Sequence, residues 1–238
     1  MKKYMGKYSK EQIGFIIGMI LGDGYISKFK PKIANSFLGC RQSKKQKEFL
    51  LYKKEQLEKL GFKVSKLYDT TNNYGESFTF ECREPKLFNQ LRLVLYPKNN
   101  KTIKRKWLNK MSAKDIAIWY MDDGSLTKRG KSAYVSLHTN GFNKREHIII
   151  IKYFKQVWNI SPTLRIVKRK DRTQTYFLTF SVEETKKFLE IVKPYVIESM
   201  SYKVDFKFKE QPNLIICKKT NKVETNKKGF CAICNCYN

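Results

Sequence analysis

Apolar positions along this chain fall into two successions of the same elements, about a hundred residues apart. Residues 13–21 form a nearly continuous apolar run, which predicts a buried helix over about 10–21. A shorter run at 116–121 predicts another near 113–121. After the first run the pattern alternates, with Lys28, Lys30 and Lys32 on one face and Phe29 and Ile33 on the other, as in a strand. Residues 46–60 carry Phe49, Leu50, Leu57 and Leu60 at helical spacing under a basic outer face, and Gly61 stands where a C-cap belongs. Strands at 63–68 and 76–82 then flank the turn-rich segment 71–75. The second succession repeats the order: strands around 128–139, a helix over 144–157, and a hairpin of 163–169 with 174–181 turned through 170–173.

The correspondence extends to individual residues. Asp23-Gly24 matches Asp123-Gly124, Phe78-Thr79-Phe80 matches Leu178-Thr179-Phe180, and Glu84 with Phe88 matches Glu184 with Phe188, all at a shift of 100. The reading is an α+β protein of two αββαββα halves, 8–104 and 105–206, related by a pseudo-twofold axis. Residues 207–238 have no counterpart and read as an appended, basic, cysteine-containing tail.

Charge adds a partner. The 238 residues carry 49 Lys plus Arg against 21 Asp plus Glu, a formal net charge of +28, well beyond what solubility requires. Such an excess points to a polyanion. A lysine-rich composition, 40 of those 49 cations, also follows from A/T-rich codons, so the excess alone does not locate a surface. The basic start before the first apolar run imitates a secretory signal, but the run ends in Gly22-Asp23-Gly24, is too short to span a bilayer and recurs internally. No membrane association is expected. Six cysteines in a chain of this length read as reduced thiols, which suits a bacterial or phage-host cytoplasm or an organelle matrix. Cys231, Cys234 and Cys236, with Cys217 as a fourth thiolate, resemble a zinc site only loosely, so a flexible reduced tail is the preferred reading.

The two apolar runs each close on Asp-Gly. Gly14, Gly18 and Gly22 fall four apart on the first helix, so a second backbone can approach closely there, whereas Ala113 and Ala117 sit one position out of register. A carboxylate at a helix C-terminus is disfavoured by the helix dipole unless a cation offsets it. Paired helices would bring Asp23 and Asp123 together as a hard-oxygen site suited to Mg²⁺. With only His138 and His147 present, a nuclease chemistry built on a histidine base lacks material.

Residues 16–24 and 116–124 resemble the LAGLIDADG motif, and the chain, over roughly 10–206, is similar to the monomeric two-motif LAGLIDADG homing endonucleases. Ile118 departs from the small residue usual at its position, while the acid and the glycine after it are kept twice. The resemblance implies that Asp23 and Asp123 bind catalytic Mg²⁺, with Mn²⁺ able to substitute, helped by the backbone carbonyls of Gly22 and Asp122. The Asp122 side chain is expected to cap or orient rather than ligate. Lys101 and Lys203 match the family's basic active-site positions, and Gln42 its water-orienting polar position, with Thr139 and Asn140 as looser counterparts. Each half's antiparallel sheet is expected to form one side of a saddle over the major groove of double-stranded DNA. Candidate contacts are Lys28, Lys30, Lys32, Arg41 and Lys66 in the first half. In the second they are Arg129, Lys131, Arg165, Lys168, Arg169, Arg172 and Gln174. Unequal halves imply a long asymmetric site bound by a monomer. Intron RNA, bound as a maturase would, and a non-cleaving DNA-binding regulator are the alternatives on the same scaffold.

Overall fold

The computed structural model describes residues 6–27, 35–72, 75–168 and 174–208, and four short strands beyond them. The chain divides into a unit 1–205 and a unit 206–238. In the first, α1 (Lys10–Leu21) leads through β1 (Gly24–Ile26) and β2 (Leu38–Ser43) to α2 (Lys47–Lys59). Then come β3 (Tyr68–Asn72), β4 (Gly75–Cys82) and α3 (Pro85–Leu95). A four-residue helix α4 (Arg105–Leu108) joins this half to α5 (Ala113–Asp123), β5 (Gly124–Arg129), β6 (Ser132–Leu137) and α6 (Lys144–Trp158). The second half closes with β7 (Thr163–Lys168), β8 (Gln174–Thr179) and α7 (Val182–Val192). Each half thus has the αββαββα order, and the two antiparallel sheets have the same strand order, β1-β2-β4-β3 and β5-β6-β8-β7.

Local sequence explains where the helices start and stop. Ser9 with Gln12 and Ser112 with Asp115 form reciprocal capping boxes at the starts of α1 and α5. Helix α2 ends in a Schellman motif: Phe62 N–H donates to Leu57 O and Gly61 N–H to Glu58 O, with Gly61 at φ +84°. The cores are aromatic and aliphatic. Phe154, Phe180 and Phe188 contact one another edge-on or tilted at 4.9–6.1 Å beneath the second sheet.

Three expectations about strands are corrected. The first hairpin begins at Tyr68, not residue 63, and runs on through Thr71 and Asn72, where a turn is expected. Val64 meets Cys82 only in an isolated bridge. One extra residue between Val64 and Tyr68 makes a bulge, and the Ser65 hydroxyl accepts from Glu81 N–H there. Lys66 therefore sits on this bulge and is exposed. Lys131 lies in the two-residue turn between β5 and β6, after Gly130 at φ +55°, not on a strand. Lys168 and Gln174 pair with each other, and alternation from Leu178 puts them on the helix-covered side rather than the outer face. Lys28, Lys30 and Lys32, and Arg169 and Arg172, lie outside the described residues.

The second unit contains two short antiparallel strand pairs, β9 (Leu214–Ile216) with β10 (Val223–Thr225) and β11 (Phe230–Cys231) with β12 (Cys236–Tyr237). The side chains of the four tail cysteines, and with them the zinc reading, lie outside the described residues. No helix among the described residues is long and apolar enough to cross a membrane.

Candidate active site

Helices α1 and α5 run parallel in close contact because α1 offers glycine where α5 presents backbone. A Cβ on Gly14 or Gly18 would press on Asp115, and one on Gly22 would overlap the Asp122 carboxylate. Positions 22 and 122 are equivalent in the repeat, so the asymmetry is complementary: one half supplies the space and the other the side chain. The Asp122 carboxylate crosses the interface, accepting from Asp23 N–H at 3.2 Å and from Gln42 Nε2 at 2.8 Å. Gln42 Nε2 also donates to Asp23 Oδ2 at 3.0 Å, so one amide ties the acid of the first motif to the second helix.

Lys53 completes this network. Its side chain is fully buried in α2, with Nζ 2.5 Å from Asp122 Oδ1 and 3.7 Å from Cys40 Sγ. Burial works to lower its pKa, but Asp122 and Cys40 outweigh burial and the net direction is upward. Asp122 is pushed up to about 6 by burial, with Asp23 adding to the rise and Lys53 opposing it. At neutral pH both partners are charged. The strand register gives an offset of 97 for this part of the repeat, since Gly24 pairs with Cys40 and Gly124 with Leu137. At that offset Lys53 faces Ile150 and Gln42 faces Thr139. Thr139 turns away to His147 Nε2 at 2.7 Å, and Asn140 Nδ2 donates to Thr175 Oγ1 at 3.5 Å. Gln42 and Lys53 therefore have no polar counterparts in the second half, which contributes Asp122 to the network.

Asp123 is half-buried, and Trp119 Nε1 donates to its Oδ2 at 3.2 Å. Burial, then the negative charges of Asp122 and Asp23, push its carboxyl up to about 7. Lys101 and Lys203 each bind the C-terminal carbonyls of their own half's motif helix. Lys101 Nζ donates to Ile20 O at 2.5 Å and Gly22 O at 3.1 Å; Lys203 Nζ donates to Met121 O at 2.5 Å and Asp122 O at 3.3 Å. They offset the negative ends of α1 and α5. Burial lowers both lysines, against the pull of the surrounding aspartates. The Gly22 and Asp122 carbonyls thus have lysine donors in this structure.

The donor set suits a hard divalent cation. Asp122 is neutralised by Lys53, while Asp23 is exposed and Asp123 has no salt-bridge partner among the described residues. Like charge between them is relieved by a cation. Among the described residues no cluster of three His, Cys, Asp or Glu side chains could hold a metal. Two carboxylates leave most of an octahedral shell to water and phosphate oxygens, the usual arrangement for Mg²⁺.

On the outer sheet faces Arg41 Nε and Arg165 Nε each donate at 3.2 Å to a threonine of the repeat, Thr79 and Thr179. They reach it from opposite neighbouring strands, β2 and β7. Arg129 and Arg165 border a depression of about 440 Å³ with Thr127, Tyr134, Ser136 and Thr179. Tyr25, Tyr68 and Thr70, which the charge pattern passed over, share the first outer face with Arg41.

A family description, LAGLIDADG DNA endonuclease family, matches residues 13–188. The chain belongs to that family. It is 28% identical over 212 residues to probable intron-encoded endonuclease 1 of Wickerhamomyces canadensis, covering 86% of this chain and 88% of that protein. It is 27% identical to the cytochrome b mRNA maturase bI2 of Debaryomyces hansenii, over 82% of this chain and 74% of that one. The chain is also 27% identical to the RecA protein of Mycobacterium shimoidei, over 82% of this chain and 47% of that protein. The homing endonuclease I-WcaI, solved bound to its DNA recognition sequence, superposes with a TM-score of 0.68 at 26% identity, covering 87% of this chain and 92% of that one. This LAGLIDADG chain therefore has the homing endonuclease fold expected from its two motifs.

Proposed function

We propose that this chain is a site-specific homing endonuclease that makes a double-strand break in a long asymmetric DNA site by divalent-metal-dependent hydrolysis. The observation that carries the reading is that Asp23 and Asp123 stand close together at the ends of two packed helices, with the Asp122 carboxylate bonded to the Asp23 N–H between them. Asp23 and Asp123 would hold Mg²⁺, or Mn²⁺ in its place. When bound, the metal supplies polarisation of the scissile phosphate and activation of water. Gln42 fixes the Asp23 carboxylate and is placed to orient a water. Lys101 and Lys203 keep positive charge beside the phosphates, supporting charge that develops in the transition state. Arg41, Arg129 and Arg165 are proposed to contact base edges, and Lys66 and Lys131, at the bulge and the turn, phosphates. Two halves each covering about one turn, roughly 10 bp, set the length of the site.

Incubation with a randomised duplex library and Mg²⁺ at low salt, followed by sequencing of the new ends, tests this. One long asymmetric site is expected; tight binding without cutting in any divalent metal would refute it. A second reading, binding of intron RNA, is favoured by the similarity to a cytochrome b maturase.

A further inference from the structure

Asp23 and Asp123 occupy equivalent places in the repeat but are held differently. In the first half the Lys53 ammonium is enclosed on three sides: its Nζ stands 2.5 Å from Asp122 Oδ1, 3.7 Å from Cys40 Sγ and 4.1 Å from the centre of the Phe49 ring. At the offset of 97 the second half has Ile150, Leu137 and Glu146 at the places of Lys53, Cys40 and Phe49. Glu146 is engaged elsewhere, accepting from Asn143 N–H and Ile103 N–H. The cage is built once.

What it holds is the first acid. Lys53 fixes one oxygen of Asp122, and the other accepts from Asp23 N–H at 3.2 Å. Gln42 Nε2 spans Asp122 Oδ1 and Asp23 Oδ2 at 2.8 and 3.0 Å. Asp23 is thus gripped at its backbone and at its carboxylate by groups that lead back to Lys53. Among the described residues the Asp123 carboxylate is bonded instead by Trp119, four residues earlier on the same helix. No carboxylate crosses towards it from the first helix, because residue 22 is glycine. A buried ion pair is a poor source of stability beside apolar residues of similar volume, and the second half uses Ile150. The return on burying Lys53 is orientation. The strands of a duplex are related by a twofold axis, as the two halves are, so on the proposed DNA face each acid lies nearest one strand.

We propose that Lys53 is a positioning residue for cutting: through Asp122 it fixes Asp23 and Gln42, and so sets the rate at which the strand nearest Asp23 is cut. The inference rests on the endonuclease reading for its effect on cutting, and on the coordinates alone for the arrangement.

The test compares Lys53→Met with the double variant Lys53→Met, Asp122→Asn, which removes the stranded charge and keeps the chain folded. Asparagine offers one acceptor oxygen where Asp122 offers two, so Asp23 N–H and Gln42 are no longer both held and the positioning stays lost. A duplex of the selected target, with a different fluorophore on each strand, is cut under single turnover with Mg²⁺, and the two rates are read separately on a denaturing gel. Gln42→Leu, which removes a bond to Asp23 and none to Asp123, marks the strand served by Asp23. Both Lys53 variants should slow that strand by roughly 10- to 100-fold and leave the other at the wild-type rate, so that nicked duplex accumulates. In the metal-free protein the Gln42 side-chain amide, assigned by its loss in Gln42→Leu, should shift in the ¹⁵N NMR spectrum of both variants. Equal slowing of the two strands, recovery of cutting together with Tm in the double variant, or an unmoved Gln42 amide would overturn the proposal. A wild type that does not cut would overturn the endonuclease reading instead, and the amide signal would then decide the positioning by itself.

Discussion

Lys53→Met removes the buried ammonium while keeping the volume and apolar length of the side chain. Asp122 is then left fully buried beside Gln42 and the Asp23 N–H, with no cation. Breaking one side of a buried pair costs about 3–5 kcal/mol, and in a chain of this size each kcal/mol lowers Tm by roughly 2–4 °C. A fall of roughly 6–20 °C is expected in metal-free buffer at pH 7.5. The sign with pH follows from Asp122. Its folded pKa, already about 6, rises further without Lys53, against an ordinary value of 3.8. A carboxyl raised on folding loses stability as pH rises through that window, so the deficit should be small near pH 4 and full above neutrality. Adding Asp122→Asn removes the stranded charge and should recover most of the loss. Differential scanning calorimetry of the two single variants and the double measures the coupling. A Lys53→Met cost below about 1 kcal/mol, or additive behaviour in the cycle, would refute the pairing as the element that holds this interface.

Other outcomes follow from the same geometry. Gly18→Ala drives a Cβ onto the Asp115 backbone and should destabilise by about 1–3 kcal/mol in urea titration, whereas Gly141→Ala, with open space at its Cβ, should not. Asp123, raised from 3.8 to about 7, makes the metal-free protein lose stability between about pH 4 and 7; Mg²⁺ must displace that proton, so its stabilising effect in thermal melts should be larger at pH 8 than at pH 5.5. Gln42→Leu frees the Asp23 carboxylate and should slow cleavage by about 10²-fold while leaving DNA binding intact, as read by single-turnover kinetics beside anisotropy.

Much of this was legible in the sequence because it repeats. The Asp-Gly pair at 23 and 123 and the apolar runs before it locate α1 and α5 within two residues. The glycines at 14, 18 and 22 identify the packed face. What stayed hidden depends on direction rather than residue type. Lys53 looks like any lysine of a basic helix, although it lies between Leu50 and Leu57 on the apolar stripe, a signal that could have found it. Lys168 and Gln174 lose their outer-face position because parity is set by the register with Leu178, which composition does not reveal. Lys66 is displaced by a bulge at which Ser65 bonds Glu81 through both its hydroxyl and its backbone N–H. The grip of Lys101 and Lys203 on helix carbonyls follows from chain paths of about 80 residues, beyond any local pattern.

The central claim is that Asp23 and Asp123 form one metal-dependent cutting site for both strands. It is tested most directly by Mg²⁺-dependent linearisation of a supercoiled plasmid carrying the selected target, with Asp23→Asn and Asp123→Asn beside the wild type and DNA binding measured in parallel. Both variants should bind the site undiminished and produce no linear product. Full linearisation by either variant would contradict the account.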